Sequence, residues 1–163
     1  MESTTSIDPQ TPKSIANPEM IQTLNSLLAD QWVLLVKSLN YHWNVEGMQF
    51  GEMHKLLETL YKEVFEQIDL VAERVRALGG RPLGTLGDIT ESARLSEASG
   101  ANRAPHEMLQ DLLKDLEAFN RSLRVAAGRS EDEFKDYGST DLLTGLLREN
   151  EKQAWMLRAS IQQ

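Results

Sequence analysis

Apolar residues recur at helical spacing in four long stretches of the chain. The stretches run from residue 17 to about 43, from about 49 to 78, from 105 to about 127 and from about 139 to 161. Repeats at every third or fourth position predict amphipathic helices. In the second stretch the inward stripe comprises Leu57, Leu60, Val64, Ile68, Val71 and Val75. No strand pattern of comparable strength competes, so the chain is predicted to be all-α.

Residues between these stretches predict where the helices begin and end. Asn17-Pro18-Glu19 combines a capping side chain, a first-turn proline and an acidic first turn, and Gly79-Gly80 is a typical helix stop. Residues 81–104 are rich in turn formers and carry one short predicted helix near 88–95. A long crossover that joins two helical hairpins describes a ferritin-like four-helix bundle.

Composition bounds the domain organisation. The 163 residues are 40% hydrophobic, which is enough for one domain with its own core, at residues 17–163. Residues 1–16 are rich in Ser, Thr and Pro and are predicted to form a disordered tail. There is no cysteine, so thiolate metal sites are excluded. The chain shows no membrane span and its start does not resemble a signal peptide, so a cytoplasmic location is expected.

Five side chains stand out as metal ligands: His42, His54, Glu58, Asp69 and Glu73. His54 and Glu58 lie four residues apart, as do Asp69 and Glu73, so each pair projects from one helix face. The 11 residues from Glu58 to Asp69 span roughly 16 Å along a helix, too far for one shared ion. If two copies of this helix pack antiparallel about a two-fold axis near residues 63 and 64, His54 and Glu58 of one chain face Asp69 and Glu73 of the other. Two equivalent sites per dimer follow.

The surroundings of the two pairs support this dimer and leave the metal open. Tyr61 and Phe65 form an aromatic centre between the pairs, as a dimer seam requires. Carboxylates four apart are also common on solvated helix faces, so spacing alone is weak evidence. The Glu-x-x-His motif of di-iron bundles is absent, and imidazole with carboxylate suits iron(II) or zinc. His106 is expected to be a structural or a surface residue, and Trp43 and Trp155 are expected in the core.

Several motifs of the chain resemble the Dps family (DNA-binding proteins from starved cells, or miniferritins). The motifs are Tyr41-His42-Trp43-Asn44-Val45-Glu46-Gly47, Phe50, His54, Glu58, 69–74, 77–80, 140–144 and 151–158. The resemblance extends over residues 18–162. It implies a hollow homo-dodecamer that oxidises iron(II), preferably with hydrogen peroxide, and stores the iron(III) inside, protecting the cell from oxidative damage.

The same resemblance assigns the ligands to chains. His42, His54 and Glu58 are supplied by one subunit, and Asp69 and Glu73 by its two-fold neighbour. The family commonly has aspartate where this chain has Glu58, so the longer side chain is expected to shift this ligand toward a second iron position or a water-mediated role.

Charge sets the remaining expectations. The formal charge is −8, and Lys13 is the one basic residue of the tail, so strong DNA binding is not expected. Asp136 and Asp141 fall where family members approach a three-fold axis, which makes them candidates for an iron-entry pore, although Asp141 could equally complement the helix dipole. The alternatives are a nucleoid DNA-binding protein, a helical interaction or structural protein, and a metal-binding scaffold without turnover. Iron-dependent peroxide consumption separates a ferroxidase from the last two.

Overall fold

Five helices form the computed structural model, which describes residues 17–98 and 103–161. They are α1 (Pro18–Asn44), α2 (Phe50–Ala77), α3 (Leu86–Ser92), α4 (Pro105–Asp132) and α5 (Tyr137–Ile161). No strand occurs in these two ranges, so the all-α prediction is confirmed. The predicted disordered tail, residues 1–16, lies outside the described residues.

The four long helices pack as two antiparallel hairpins, α1 with α2 and α4 with α5, and α3 lies against α1. All six residues of the predicted α2 stripe are buried, and they join one core with side chains from α1, α4 and α5. Leu112, Phe119 and Leu123 are fully buried on α4. Each large apolar side chain buried this way contributes about 1.5–3 kcal/mol. No helix within the described ranges is long and apolar enough to cross a membrane.

Both ends of the first hairpin follow the predicted rules. The Asn17 side-chain oxygen accepts hydrogen bonds from the backbone N–H groups of Glu19 and Met20, at 3.0 and 3.1 Å. Gly79 ends α2 with φ 79°, a left-handed conformation that favours glycine. Gly80 packs so closely that an added Cβ would lie 2.7 Å from Cγ2 of Ile21.

Three predicted boundaries were inexact. The helix α4 continues to Asp132 rather than ending near residue 127, since the buried Ser130 hydroxyl donates to the Asp136 carbonyl and holds the last turn. The helix α5 begins at Tyr137, two residues early, because Asp136 caps it. The crossover helix α3 covers Leu86–Ser92, not 88–95, with the Thr85 hydroxyl as its cap.

The crossover after α3 is fixed to α1 by one buried carboxylate. Asp30 is 1% exposed and accepts four hydrogen bonds, from the backbone N–H groups of Arg94 and Leu95 and from the Arg94 guanidinium. Backbone donors and a charged donor together satisfy the oxygens of a carboxylate that would otherwise be costly to bury.

Candidate metal centre

His42, at the end of α1, and His54, in the first turns of α2, face each other across the turn between these helices. Their rings stack with centroids 3.8 Å apart at an interplanar angle of 26°. Nδ1 of His42 lies 2.9 Å from the His54 carbonyl oxygen, and Nδ1 of His54 lies 3.0 Å from the His42 carbonyl oxygen. The two hydrogen bonds are reciprocal, so each residue fixes the ring orientation of the other.

These hydrogen bonds determine which ring nitrogens are free. A carbonyl oxygen only accepts, so Nδ1 of each neutral ring carries the proton. The Nε2 atoms of His42 and His54 therefore keep their lone pairs, as in metal-ligating histidines that donate the other N–H to a backbone carbonyl. Tyr61 packs edge-on against His42, with centroids 5.1 Å apart, and Phe50 tilts against His54 at 4.9 Å.

Glu58 lies one turn beyond His54 on the same face of α2. Its carboxylate accepts a hydrogen bond from Lys62, one further turn along. This hydrogen bond and the Lys62 charge hold the pKa of Glu58 below its usual range. Glu58 is therefore an anion at neutral pH, with an exposed ammonium group as its present partner.

Asp69 and Glu73 lie toward the other end of α2 and are both exposed. Within residues 17–98 and 103–161 of one chain, no three His, Asp or Glu side chains are placed to hold a metal ion together. The histidine pair and the distal carboxylates are thus two separate groups in a single chain.

Large apolar side chains are exposed near both groups. Phe65 on α2 is 60% exposed and Trp43, beside His42, is 69% exposed. The prediction that Trp43 and Trp155 are core residues is wrong, because both rings project from the bundle, Trp155 with 62% exposure. His106 is exposed, so it is a surface residue.

The two candidate pore residues differ in their surroundings. Asp136 accepts hydrogen bonds from the Ser139 backbone and hydroxyl and pairs with the Arg74 guanidinium at 2.5 Å, so both its oxygens are bonded within the chain. It is therefore Asp136 that complements the start of α5. Asp141, a full turn into the helix, is exposed and is not needed for that role.

A largely buried ionic cluster between α1 and α4 was not predicted from the sequence. Lys37 on α1 forms ion pairs with Asp111 and Asp115 on α4, and the Tyr41 hydroxyl donates to Asp111 at 2.6 Å. Burial and the Asp111 contact raise the pKa of Tyr41 above its ordinary value. Burial opposes ionisation of Asp111, yet the Tyr41 hydrogen bond and the Lys37 charge hold its pKa below the usual range. Charged residues on inward helix faces are the one sequence signal of this cluster.

Comparison with known proteins places these features in a family. Residues 21–163 match the ferritin-like domain family. The chain is 46% identical to a low temperature-induced protein of Nostoc sp., over 88% of this chain and 80% of the relative. It is 39% identical to DNA protection during starvation protein 2 of Bacillus anthracis, over 90% of this chain and 99% of the relative.

A solved structure has the same fold. The DPS protein of Vibrio cholerae O1, described as a member of a broad superfamily of ferritin-like diiron-carboxylate proteins, superposes with a TM-score of 0.83 and 29% identity. The match covers 88% of this chain and 89% of that one.

Proposed function

This chain belongs to the ferritin-like family, among its Dps members, and from that premise we propose that it is an iron-storing ferroxidase. It binds iron(II), oxidises it, preferably with hydrogen peroxide, and retains the iron(III) within a hollow dodecamer. The cell is thereby protected from iron and peroxide together.

One observation carries the proposal: the His42–His54 pair has both Nε2 atoms free, and Glu58, one turn beyond His54, is an anion. Nitrogen and carboxylate oxygen are suitable ligands for iron(II). The rings are oriented by the backbone, so little ordering is left for the metal to induce.

The ligand set is completed across a two-fold axis. His42, His54 and Glu58 of one subunit face Asp69 and Glu73 of its partner, and the exposed Phe65 becomes part of the dimer seam. This arrangement explains why the distal carboxylates are exposed in one chain and why Phe65 is left uncovered there. Each dimer then has two equivalent sites.

The mixed ligands suit both oxidation states of the substrate. Neutral imidazoles bind iron(II) without excess negative charge, whereas carboxylates neutralise the additional charge of iron(III). Two iron(II) ions give two electrons to one hydrogen peroxide, which takes up two protons and forms two water molecules. Because the O–O bond receives both electrons, no hydroxyl radical is released.

The hydrogen bond from Lys62 to Glu58 limits how Glu58 can bind the metal. The Lys62 ammonium must move away before Glu58 can bind a metal directly through both oxygens. The alternative is that Glu58 keeps Lys62 and reaches the iron through one oxygen or a water molecule.

Subunit mixing tests the shared site. His54→Ala and Asp69→Ala particles should each have little ferroxidase activity, because each lacks one half of every site. After dissociation and reassembly together, about a quarter of the sites in randomly mixed dimers carry neither mutation, so activity should return to about that fraction.

A matched mixture of His54→Ala with His42→Ala provides the control. Every site needs His42 and His54 from the same subunit. In this mixture each subunit lacks one of these two histidines, so every site is damaged. No recovery is expected in this control. Equal activity in the two mixtures, with subunit exchange verified by mass spectrometry, would show that the site is not shared between chains.

A further inference from the structure

The middle of the bundle contains a layer of buried carboxamide side chains. Gln31 on α1, Gln67 on α2, Asn120 on α4 and Gln153 on α5 are each at most 7% exposed. Asn150 on α5 is also buried, so α1, α2 and α4 contribute one amide each and α5 contributes two. Buried polar groups almost always have hydrogen-bond partners, so each amide in this layer is expected to have partners for its donor and its acceptor.

The ion pair between Lys37 and Asp115 sets the heights of α1 and α4 relative to each other. Gln31 lies six residues before Lys37, and Asn120 lies five residues after Asp115. Because the two helices are antiparallel, Gln31 and Asn120 are at nearly the same height, with an offset of about 1.5 Å along the axis.

The ion pair between Arg124 and Glu151 gives the heights of α4 and α5 relative to each other. Asn120 lies four residues before Arg124, and Gln153 lies two residues after Glu151. The axial offset between Asn120 and Gln153 is therefore about 3 Å, less than one helical turn.

The α2 side of the layer is bonded within the chain. The amide group of Gln153 donates to Glu63. Gln67, one turn beyond Glu63, donates to Glu149 at 3.1 Å and accepts from Asn150 at 2.9 Å. Gln67 therefore has partners for both its donor and its acceptor.

Four atoms of the other three amides are unpaired. Nε2 and Oε1 of Gln31, Oδ1 of Asn120 and Oε1 of Gln153 are buried, and none has a hydrogen-bond partner within residues 17–98 and 103–161. Three of the four are oxygen acceptors, and acceptors cannot satisfy one another. Two small molecules that both donate and accept would satisfy the whole set.

We propose that this amide layer is a binding site for buried water, which bridges Gln31, Asn120 and Gln153. Water is small and neutral, and each molecule donates two hydrogen bonds. Two linked molecules can therefore donate to the three oxygens on three different helices and accept from Nε2 of Gln31. The inference does not depend on the proposed ferroxidase function.

The same chemistry excludes iron from the layer. Ferritin-like di-iron proteins project glutamates and histidines into the bundle core, whereas here the corresponding helices project neutral amides. The nearby Glu63 carboxylate already accepts from Gln153. A metal ion among uncharged groups would remain uncompensated in a buried site, which is highly unfavourable.

Crystallography of the assembled wild-type protein after iron loading is the direct test. We expect density peaks that lie within hydrogen-bond distance of Gln31, Asn120 and Gln153 and have no anomalous signal at the iron absorption edge. An anomalous peak at this position would show a metal site instead. A layer without any peak would show that the amides are dry. Either result overturns the proposal.

A stability measurement gives independent evidence. In Gln31→Leu, the water loses two of its hydrogen-bond partners and is held less firmly. The oxygens of Asn120 and Gln153 are then less well satisfied, so the thermal midpoint should fall by several degrees. The control is Gln22→Leu, the same change at an exposed position of the same helix, which should have little effect. If Gln31→Leu leaves the midpoint unchanged or raises it, the layer is dry and the proposal is wrong. Should Gln31→Leu fail to assemble, the wild-type density decides the question.

Discussion

Replacing Lys37 by methionine should destabilise the bundle strongly at neutral pH. Lys37 is 4% exposed, and its ammonium forms ion pairs with Asp115 and, at 3.2 Å, with Asp111. Methionine fills similar space but leaves the buried Asp115 and the partly buried Asp111 without this cation. Removing one partner of a buried ion pair typically costs about 3–5 kcal/mol.

The remaining contacts place the expected loss at the lower end of that range. Asp111 keeps the Tyr41 hydroxyl at 2.6 Å and the Arg103 guanidinium at 3.6 Å, so the loss falls mainly on Asp115. A loss of about 3 kcal/mol lowers the melting temperature of a chain this size by about 6–12 °C. Thermal unfolding followed by circular dichroism measures this shift, at one fixed protein concentration because assembly also contributes to stability.

The loss should depend on pH in a defined direction. The folded-state pKa of Asp111 is lowered in the wild type, so its stabilising contribution is complete above the unfolded pKa of about 3.9 and is lost as the pH falls through the folded value. The part of the difference between wild type and Lys37→Met that comes from Asp111 should therefore narrow as the pH falls through the folded-state pKa of Asp111.

Two further variants sharpen the test. Arg158→Met removes an exposed ion pair with Glu117 and should cost less than about 1 kcal/mol. Combining Lys37→Met with Asp115→Leu removes both buried charges of the closer pair and should recover part of the stability. A Lys37→Met loss no larger than that of Arg158→Met would refute the reasoning.

Two other predictions concern function. Asp141→Asn should slow iron uptake at low iron(II) concentration, with assembly and peroxide-driven oxidation at high iron nearly intact, since a ring of carboxylates attracts cations; an unchanged uptake rate, measured by stopped-flow absorbance, would remove Asp141 from the entry route. The assembled protein should leave plasmid mobility in gels unchanged at neutral pH and about 0.1 M salt, because each chain carries a formal charge of −8. A salt-sensitive mobility shift would show that local basic patches outweigh the overall charge.

Periodicity was sufficient to predict the helices and most of the core. The α2 stripe from Leu57 to Val75 is buried as predicted, because a helix packed in a bundle buries its most apolar face. The end of α4 was missed since Arg129 and its neighbours are polar, and the helix continues through tertiary contacts such as the one from Ser130. Pattern alone does not contain that information.

The candidate site shows a similar division. The four-residue spacing was enough to select His54 with Glu58, but the orientation of the His42 and His54 rings depends on carbonyls across the turn. The Lys37–Asp115 pair joins residues 78 apart in sequence, and no local rule connects them. Tryptophan is usually well buried, which favours a core position for Trp43. In the structure its side chain lies on the exposed face of α1.

The short sequence distance between the two histidines has a consequence for biosynthesis. Only 12 residues separate His42 from His54, so closing the loop between them carries a small entropic cost. Chains are synthesised from the N-terminus, and the α1–α2 hairpin is available to fold while α4 and α5 are still being made. The imidazole pair is therefore among the earliest tertiary features that can form, before the protein has a complete bundle or a partner subunit.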